Sequence, residues 1–180
     1  MTGGATGTAG PAGEPAGLPP LAELRWWDLD DVLALERELF PEDAWTPGMF
    51  WSELAHARGP RRTRHYVLAR DPDGTLAGYA GLAAAGDAGD VQTIAVAPRR
   101  QGRGLGARLL AELLRAAEED FGCREVFLEV RVDNDRARRL YERFGFAPLG
   151  VRRGYYQPGG HDALVMRRGG PAGDDTRGEH

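Results

Sequence analysis

A basic, glycine-rich segment joins an apolar run to an amphipathic stretch in Val91-Gln-Thr-Ile-Ala-Val-Ala-Pro-Arg-Arg-Gln-Gly-Arg-Gly-Leu-Gly-Ala-Arg-Leu-Leu110. The apolar run reads as a strand ending near Ala97, and the amphipathic stretch as a helix opening after the glycines. Glycine lets backbone N–H groups approach a ligand closely. A helix N-terminus carries roughly half a unit of positive charge. Together they form a seat for a phosphate or pyrophosphate group.

Three glycine patterns compete for this turn. A P-loop needs Gly-Lys followed by Ser or Thr, and the chain contains no lysine. The dinucleotide fingerprint matches Gly102, Gly104 and Ala107, with Glu129 downstream as a ribose carboxylate. In that fingerprint the first glycine turns directly off the strand, whereas here Pro98-Arg99-Arg100-Gln101 intervenes. Too little chain follows for further strand–helix repeats. The third pattern is Gln101-x-x-Gly104-x-Gly106. It resembles the acetyl-CoA pyrophosphate loop of the GCN5-related N-acetyltransferases, the GNAT family.

A length of 180 residues suits one domain. The net charge of −4 argues against a general nucleic-acid binder. The single cysteine, Cys123, excludes an internal disulfide and fits a reducing cytoplasm. It reads as a buried structural thiol, because no Cys-His motif accompanies it. Residues 1–20 are mostly Gly, Ala, Pro and Thr, without the basic start and apolar run of a signal peptide. They and residues 169–180 are expected to be disordered, because they cannot bury enough surface to offset ordering entropy. No run approaches the ~18 apolar residues of a membrane span. The folded domain is therefore expected over residues 21–168. The four histidines show no metal-ligand spacing, so no metal site is expected.

Leu21–Trp27 reads as a strand. Asp28 reads as the cap of a helix with Val32, Leu35, Leu39 and Phe40 at helical spacing, ended by Pro41. Thr46 caps a second helix with Pro47 at its first position and Phe50, Trp51 and Leu54 as its apolar side. Strands follow at His65–Arg70 and Thr75–Ala84, joined by the turn Asp71-Pro72-Asp73-Gly74. Asp90–Ala97 is the next strand. Leu105, Leu109, Leu113 and Ala117 then stripe a helix. Glu125–Arg131 is a strand, and Asp133 or Asn134 caps a helix with Ala137, Leu140, Tyr141 and Phe144 on one face. Phe146–Tyr156 and Asp162–Arg168 close a hairpin. This is an α/β layered domain with a mixed sheet.

The second half carries more of the resemblance. Val126-Phe-Leu-Glu-Val-Arg-Val-Asp-Asn134 and Ala137-Arg-Arg-Leu-Tyr-Glu-Arg-Phe-Gly-Phe146 are similar to the second half of the GNAT core. Arg153-Gly-Tyr-Tyr156 followed by Asp162-Ala-Leu-Val-Met166, and Phe40-Pro41 with Trp45, resemble the bacterial ribosomal-protein-alanine N-acetyltransferases within that family. The likeness runs from about Leu21 to Met166. It implies a mostly antiparallel sheet of about six or seven strands flanked by about four helices, splayed at an acetyl-CoA cleft.

Pleating sets Val126, Leu128 and Val130 on one face of their strand and Phe127, Glu129 and Arg131 on the other. A central strand is covered on both faces. Glu129 is then a general base in a polar cleft, or an ion-pair partner of Arg131 or another arginine. The residue types leave both open, and the resemblance implies the base. Tyr141 shares a helix face with Ala137 and Phe144, as a core aromatic would. The resemblance implies that it protonates the departing coenzyme A thiolate, which suits a phenol of pKa near ~10 facing a thiol of ~8.5. Asn134 caps its helix and, by resemblance, also bonds acetyl-CoA. Ile94, Ala95 and Val96 are implied to pair their backbone with the pantetheine arm. Gln101, Gly102, Arg103, Gly104, Leu105, Gly106 and Ala107 are implied to hold the pyrophosphate. Arg99, Arg100 and Arg103 are phosphate contacts or solvated arginines.

The expected activity is acetyl transfer from acetyl-CoA to an amine, with no metal. An α-amino group has a pKa of ~7.7–8.0 against ~10.4 for lysine, so a modest base suits an N-terminus better. The resemblance points to the N-terminal alanine of a small-subunit ribosomal protein, with Tyr155, Tyr156 and Trp45 around the acceptor. A small-molecule amine, a lysine, or a non-catalytic coenzyme A-binding module are the alternatives. Neither nucleic acid nor membrane is expected as a partner.

Overall fold

A computed structural model describes residues 17–156 and 160–169. Seven strands form one sheet in the order β1-β2-β3-β4-β5-β7-β6. They are β1 (Leu21–Glu23), β2 (Arg64–Arg70), β3 (Leu76–Ala85), β4 (Ala88–Val96), β5 (Glu125–Arg131), β6 (Ala147–Tyr156) and β7 (His161–Gly169). The four α-helices are α1 (Leu29–Leu39), α2 (Pro47–Ala55), α3 (Leu105–Arg115) and α4 (Asp135–Arg143). Among the described residues only β4 and β5 pair in parallel, and every other neighbouring pair is antiparallel.

The sheet is covered on both faces. One core gathers Leu105, Leu109, Leu113 and Tyr141 from α3 and α4 against Val67, Leu82, Val126 and Leu128. The other packs Val32, Leu35 and Phe50 from α1 and α2 against Tyr66, Leu68 and Tyr79. Consecutive β2 residues thus supply opposite cores, which is why Tyr66–Ala69 is an unbroken apolar run.

The local signals explain most boundaries. The Thr46 hydroxyl accepts from Met49 N–H, with Pro47 at the first helical position. The Asn134 side chain accepts from Ala137 N–H. Three local expectations are corrected. The expected first strand stops at Glu23, and Trp26–Asp28 forms a 3₁₀ turn instead. Asp28 does not cap α1 with its side chain; its carboxylate takes Arg25 N–H and the Arg70 guanidinium. Trp51 is half exposed and stacks on Trp26 at 6.4 Å, while Phe50 is buried. Adjacent helical residues are rotated by about 100°, so the core takes Phe50 and turns Trp51 outward.

The sheet opens at one place. β4 and β5 pair from Ala88↔Glu125 to Val91↔Leu128 and no further. On its other side β4 stays paired with β3, but the register shifts between Gly81↔Thr93 and Leu82↔Val91, leaving Gln92 as the extra residue of a bulge. The Tyr66 hydroxyl donates to Gln92 Oε1 at 2.6 Å. The Tyr66 ring lies so close over Gly81 that a Cβ there would fall 2.2 Å from the ring. Gly81 therefore makes room for the ring that holds the bulge, where β4 leaves β5.

Candidate active site

The opening between β4 and β5 is the floor of a cleft of about 1610 Å³. That exceeds the ~300–1,000 Å³ of a typical single-ligand pocket and leaves room for two substrates. One lip is Gln92–Val96 of β4, whose edge toward β5 has no ladder partner beyond Val91. The other lip is Glu129–Arg131 of β5 with α4 behind it.

The glycine loop closes one end. Gly104 precedes α3 with φ of +90°, a backbone conformation that disfavours any side chain. The first N–H groups of α3 have no intrahelical acceptor and face this end. Gln101 donates to Val96 O at 3.0 Å and accepts from Arg136 at 3.1 Å, which ties the loop to both lips. Asn134 lines the cleft while capping α4.

Ile94, Ala95, Val96, Gln101, Gly102, Gly104, Gly106, Ala107, Asn134, Glu129, Tyr141, Tyr155 and Trp45 all line this one cleft. Two anticipated residues lie elsewhere. Leu105 points its side chain into the core, so only its backbone is available to a ligand. Arg103 lines a shallow depression beside the cleft with Asp71, Asp73 and Arg99. Arg99 bonds Asp71 and Leu76 O and lies outside the lining of the cleft. Arg100 pairs with Asp71 but also reaches the cleft. The Tyr156 side chain lies outside the described residues.

Glu129 and Tyr141 reach the cleft from opposite faces of the sheet. Val126, Leu128 and Val130 point into the α3/α4 core, so Glu129 points to the α1/α2 side. Its arginine is Arg152 on β6, at 2.5 Å, whereas Arg131 turns to Asp133 at 2.8 Å. The Tyr155 hydroxyl donates to Glu129, and this bond holds the phenol pKa above its usual value. Asp90, on the same side, has its carboxyl pKa raised by desolvation first and then by the Glu129 charge. Tyr141 comes from α4 on the other side. Its ring is buried edge-on to Phe146 at 6.0 Å. Burial pushes its pKa up to about 12, so it is a protonated phenol at neutral pH. Among the described residues, no group hydrogen-bonds its hydroxyl.

The profile of the acetyltransferase (GNAT) family matches residues 26–146. This chain belongs to the GNAT family. It is 47% identical over 146 residues, 78% of its length and 86% of the relative's, to N-alpha-acetyltransferase RimI of Mycobacterium tuberculosis. It is 36% identical over 143 residues, 79% of its length and 90% of the relative's, to a putative [ribosomal protein bS18]-alanine N-acetyltransferase of Bacillus subtilis. It is also similar to the solved ribosomal-protein-alanine N-acetyltransferase of Escherichia coli, with a TM-score of 0.72 at 29% identity, covering 88% of this chain and 98% of that one. The chain is thus a GNAT acetyltransferase, and the dinucleotide reading of its glycine loop falls away.

Several cleft residues of this GNAT enzyme had no motif to announce them. Arg136, which lines the cleft, and Arg152, which pairs with Glu129 from outside its lining, are ordinary arginines in sequence, assigned only by the placement of distant elements. Glu36 is different. It falls among Val32, Leu35 and Leu39 on the apolar stripe of α1, a spacing that foretells a buried acid. It is 2% exposed and lines the cleft. No helix among the described residues is long and apolar enough to cross a membrane.

Proposed function

We propose that this enzyme transfers the acetyl group of acetyl-CoA to the free amine at a protein N-terminus, the N-terminal alanine of a small-subunit ribosomal protein. The observation that carries the reading is the meeting of Glu129 and Tyr141 from opposite sheet faces in a cleft ended by the glycine loop. The names of the relatives support the acceptor class.

The glycine loop suits a pyrophosphate because its N–H groups and helix end favour negative charge. The residues assigned to acetyl-CoA are Gln101, Gly102, Gly104, Gly106 and Ala107, with Leu105 through its backbone, and Asn134. Ile94, Ala95 and Val96 offer an open strand edge to the amide-bearing arm, which would bind as an added strand does. The acceptor amine attacks the thioester carbonyl directly. Glu129 takes the amine proton, through water or directly. The C–S bond breaks, the sulfur leaves with its electron pair, and the Tyr141 hydroxyl supplies its proton. The products are an acetylated amine and free coenzyme A. Tyr155, Tyr156 and Trp45 are assigned to the acceptor, with Tyr155 next to the base it hydrogen-bonds. The enzyme works in the cytoplasm on this reading, with neither nucleic acid nor membrane as a partner.

Two peptide sets test it. Peptides starting with alanine or serine should exceed the same peptides carrying a blocked N-terminus and an internal lysine by at least ~10-fold in kcat/KM, about 1.4 kcal/mol. Equal rates on the blocked peptides, or activity on small amines alone, would overturn the N-terminal acceptor and leave the acetyltransferase standing.

A further inference from the structure

Among the described residues, Asp28 and Glu36 are the two buried charged groups. Asp28 pairs with Arg70. Among the described residues, no cation pairs with Glu36. One carboxylate oxygen accepts from Trp45 N–H at 3.0 Å and the other from the Tyr79 hydroxyl. Desolvation pushes its carboxyl up to about 7, with the Trp45 bond opposing and the Asp43 charge adding to the rise. An acid at an apolar-stripe position costs stability that a leucine would not.

The contacts around it form a closed ring. Trp45 packs on Phe50 at 5.2 Å, and Phe50 packs edge-on to Tyr79 at 6.0 Å. Tyr79 bonds back to Glu36, and Glu36 bonds the Trp45 backbone. The ring encloses the start of a wall. Phe40, Glu42, Asp43, Ala44 and Trp45, all between α1 and α2, line the cleft. Glu42 approaches His161 at 3.7 Å, and Arg131, whose pKa is raised chiefly by its bond to Asp133, also feels the charges of Asp43 and Glu42. The segment therefore faces the lip that carries Glu129, on the sheet face away from α3. It belongs to no strand ladder, so its shape depends on such tethers.

We propose that Glu36 is a positioning residue for the acceptor, which through Trp45 N–H and the Tyr79 hydroxyl fixes residues 40–45 as the acceptor wall of the cleft. A carboxylate suits the task because it offers acceptors to two donors at once. Methionine fills similar volume but leaves both donors unpaired. Glutamine keeps an acceptor for Trp45 N–H and can donate to a turned Tyr79 hydroxyl. The inference rests on the reading of this end of the cleft as the acceptor end.

The test uses the full chain and an alanine-starting peptide. Glu36→Met should raise the peptide KM by about 10-fold or more, the scale of a buried hydrogen bond left unmade. The Kd of acetyl-CoA, read by calorimetry, should stay at the wild-type value. Glu36→Gln should return the peptide KM most of the way. Tyr79→Phe keeps the ring and removes one tether, so it should raise the peptide KM less than Glu36→Met. If Glu36→Met does not fold, Tyr79→Phe and Glu36→Gln decide by the same criteria. An unchanged peptide KM in Tyr79→Phe and Glu36→Met overturns the proposal. So does a loss of acetyl-CoA affinity in step with the peptide, or a Glu36→Gln variant as poor as Glu36→Met. A wild-type enzyme that ignores the peptide refutes the acceptor reading instead.

Discussion

The two ends of the cleft are built by different means. At the end proposed for acetyl-CoA, β4, the loop and α3 follow one another within residues 88–115, and the glycines and the helix start shape it locally. At the end proposed for the acceptor, the segment before α2, the end of β5 and the β6–β7 hairpin come from three distant parts of the chain. They are joined by Glu42–His161 and Glu129–Arg152, and Glu36 ties the segment before α2 to α1 and β3 through Trp45 N–H and the Tyr79 hydroxyl. The first end depends on backbone geometry, and the second on side chains meeting across the fold. Substitutions at the first end should therefore act on acetyl-CoA binding, and those at the second on the acceptor and the proton.

The largest expected effect is at Glu129. Glu129→Gln should lower kcat by ~10²–10⁴-fold, the usual contribution of a general base, with the Kd of acetyl-CoA unchanged. The loss should shrink as pH rises, because the amine then loses its proton unaided. Full activity at pH 7 would reduce Glu129 to the ion-pair partner of Arg152.

Gly104→Asp tests the other end. It forces a side chain onto a positive φ and sets a negative charge toward the pyrophosphate, so acetyl-CoA affinity should fall by about 100-fold, combining strain and repulsion. Calorimetry reads it directly. An unchanged affinity would move the cofactor away from this loop and dissolve the comparison.

Tyr141 lines the cleft from the α4 side. Tyr141→Phe should slow the chemical step by about 10-fold or more, within the range of acid catalysis. Tm should hold, because no partner among the described residues loses a bond. A sharp fall in Tm with activity per folded molecule preserved would make the tyrosine a packing residue.

The smallest effect is on stability and belongs to Glu36. Its carboxyl stands at about 7 in the fold against 4.5 as a free side chain. Below 4.5 both states hold the proton. Between 4.5 and 7 the unfolded chain releases it while the fold retains it, so stability declines as pH rises through this window. Glu36→Gln cannot titrate, and its Tm relative to the wild type should climb by a few degrees from pH 4.5 to pH 8. Parallel Tm curves would show that the buried acid ionises freely.

Legibility in the sequence divides along the same line. The strand–loop–helix of residues 90–115, the Thr46 and Asn134 caps and the stripe of α3 were all readable, since each depends on neighbours within a few turns. Glu129 was readable as a candidate, but its partner was not, because choosing Arg152 over Arg131 requires the β5–β7–β6 register. Glu36 went unread, although its place on the apolar stripe of α1 carried a signal of burial; its bond to Tyr79, 43 residues away, had no local signal. Trp51 was misassigned because both sides of its position on α2 are apolar in sequence, and only packing decided which faced inward.

By itself the sequence determined most of the elements, the glycine turn before α3 and the family, through periodicity, glycine conformation and capping that act over a few residues. Only the tertiary structure decided that β4 and β5 part after Val91 and Leu128, at a bulge held by Tyr66 over Gly81. That parting brings Glu129 and Tyr141 from opposite faces into one cleft. Strand register and sheet splay are set by contacts between segments far apart in the chain, which no local pattern encodes.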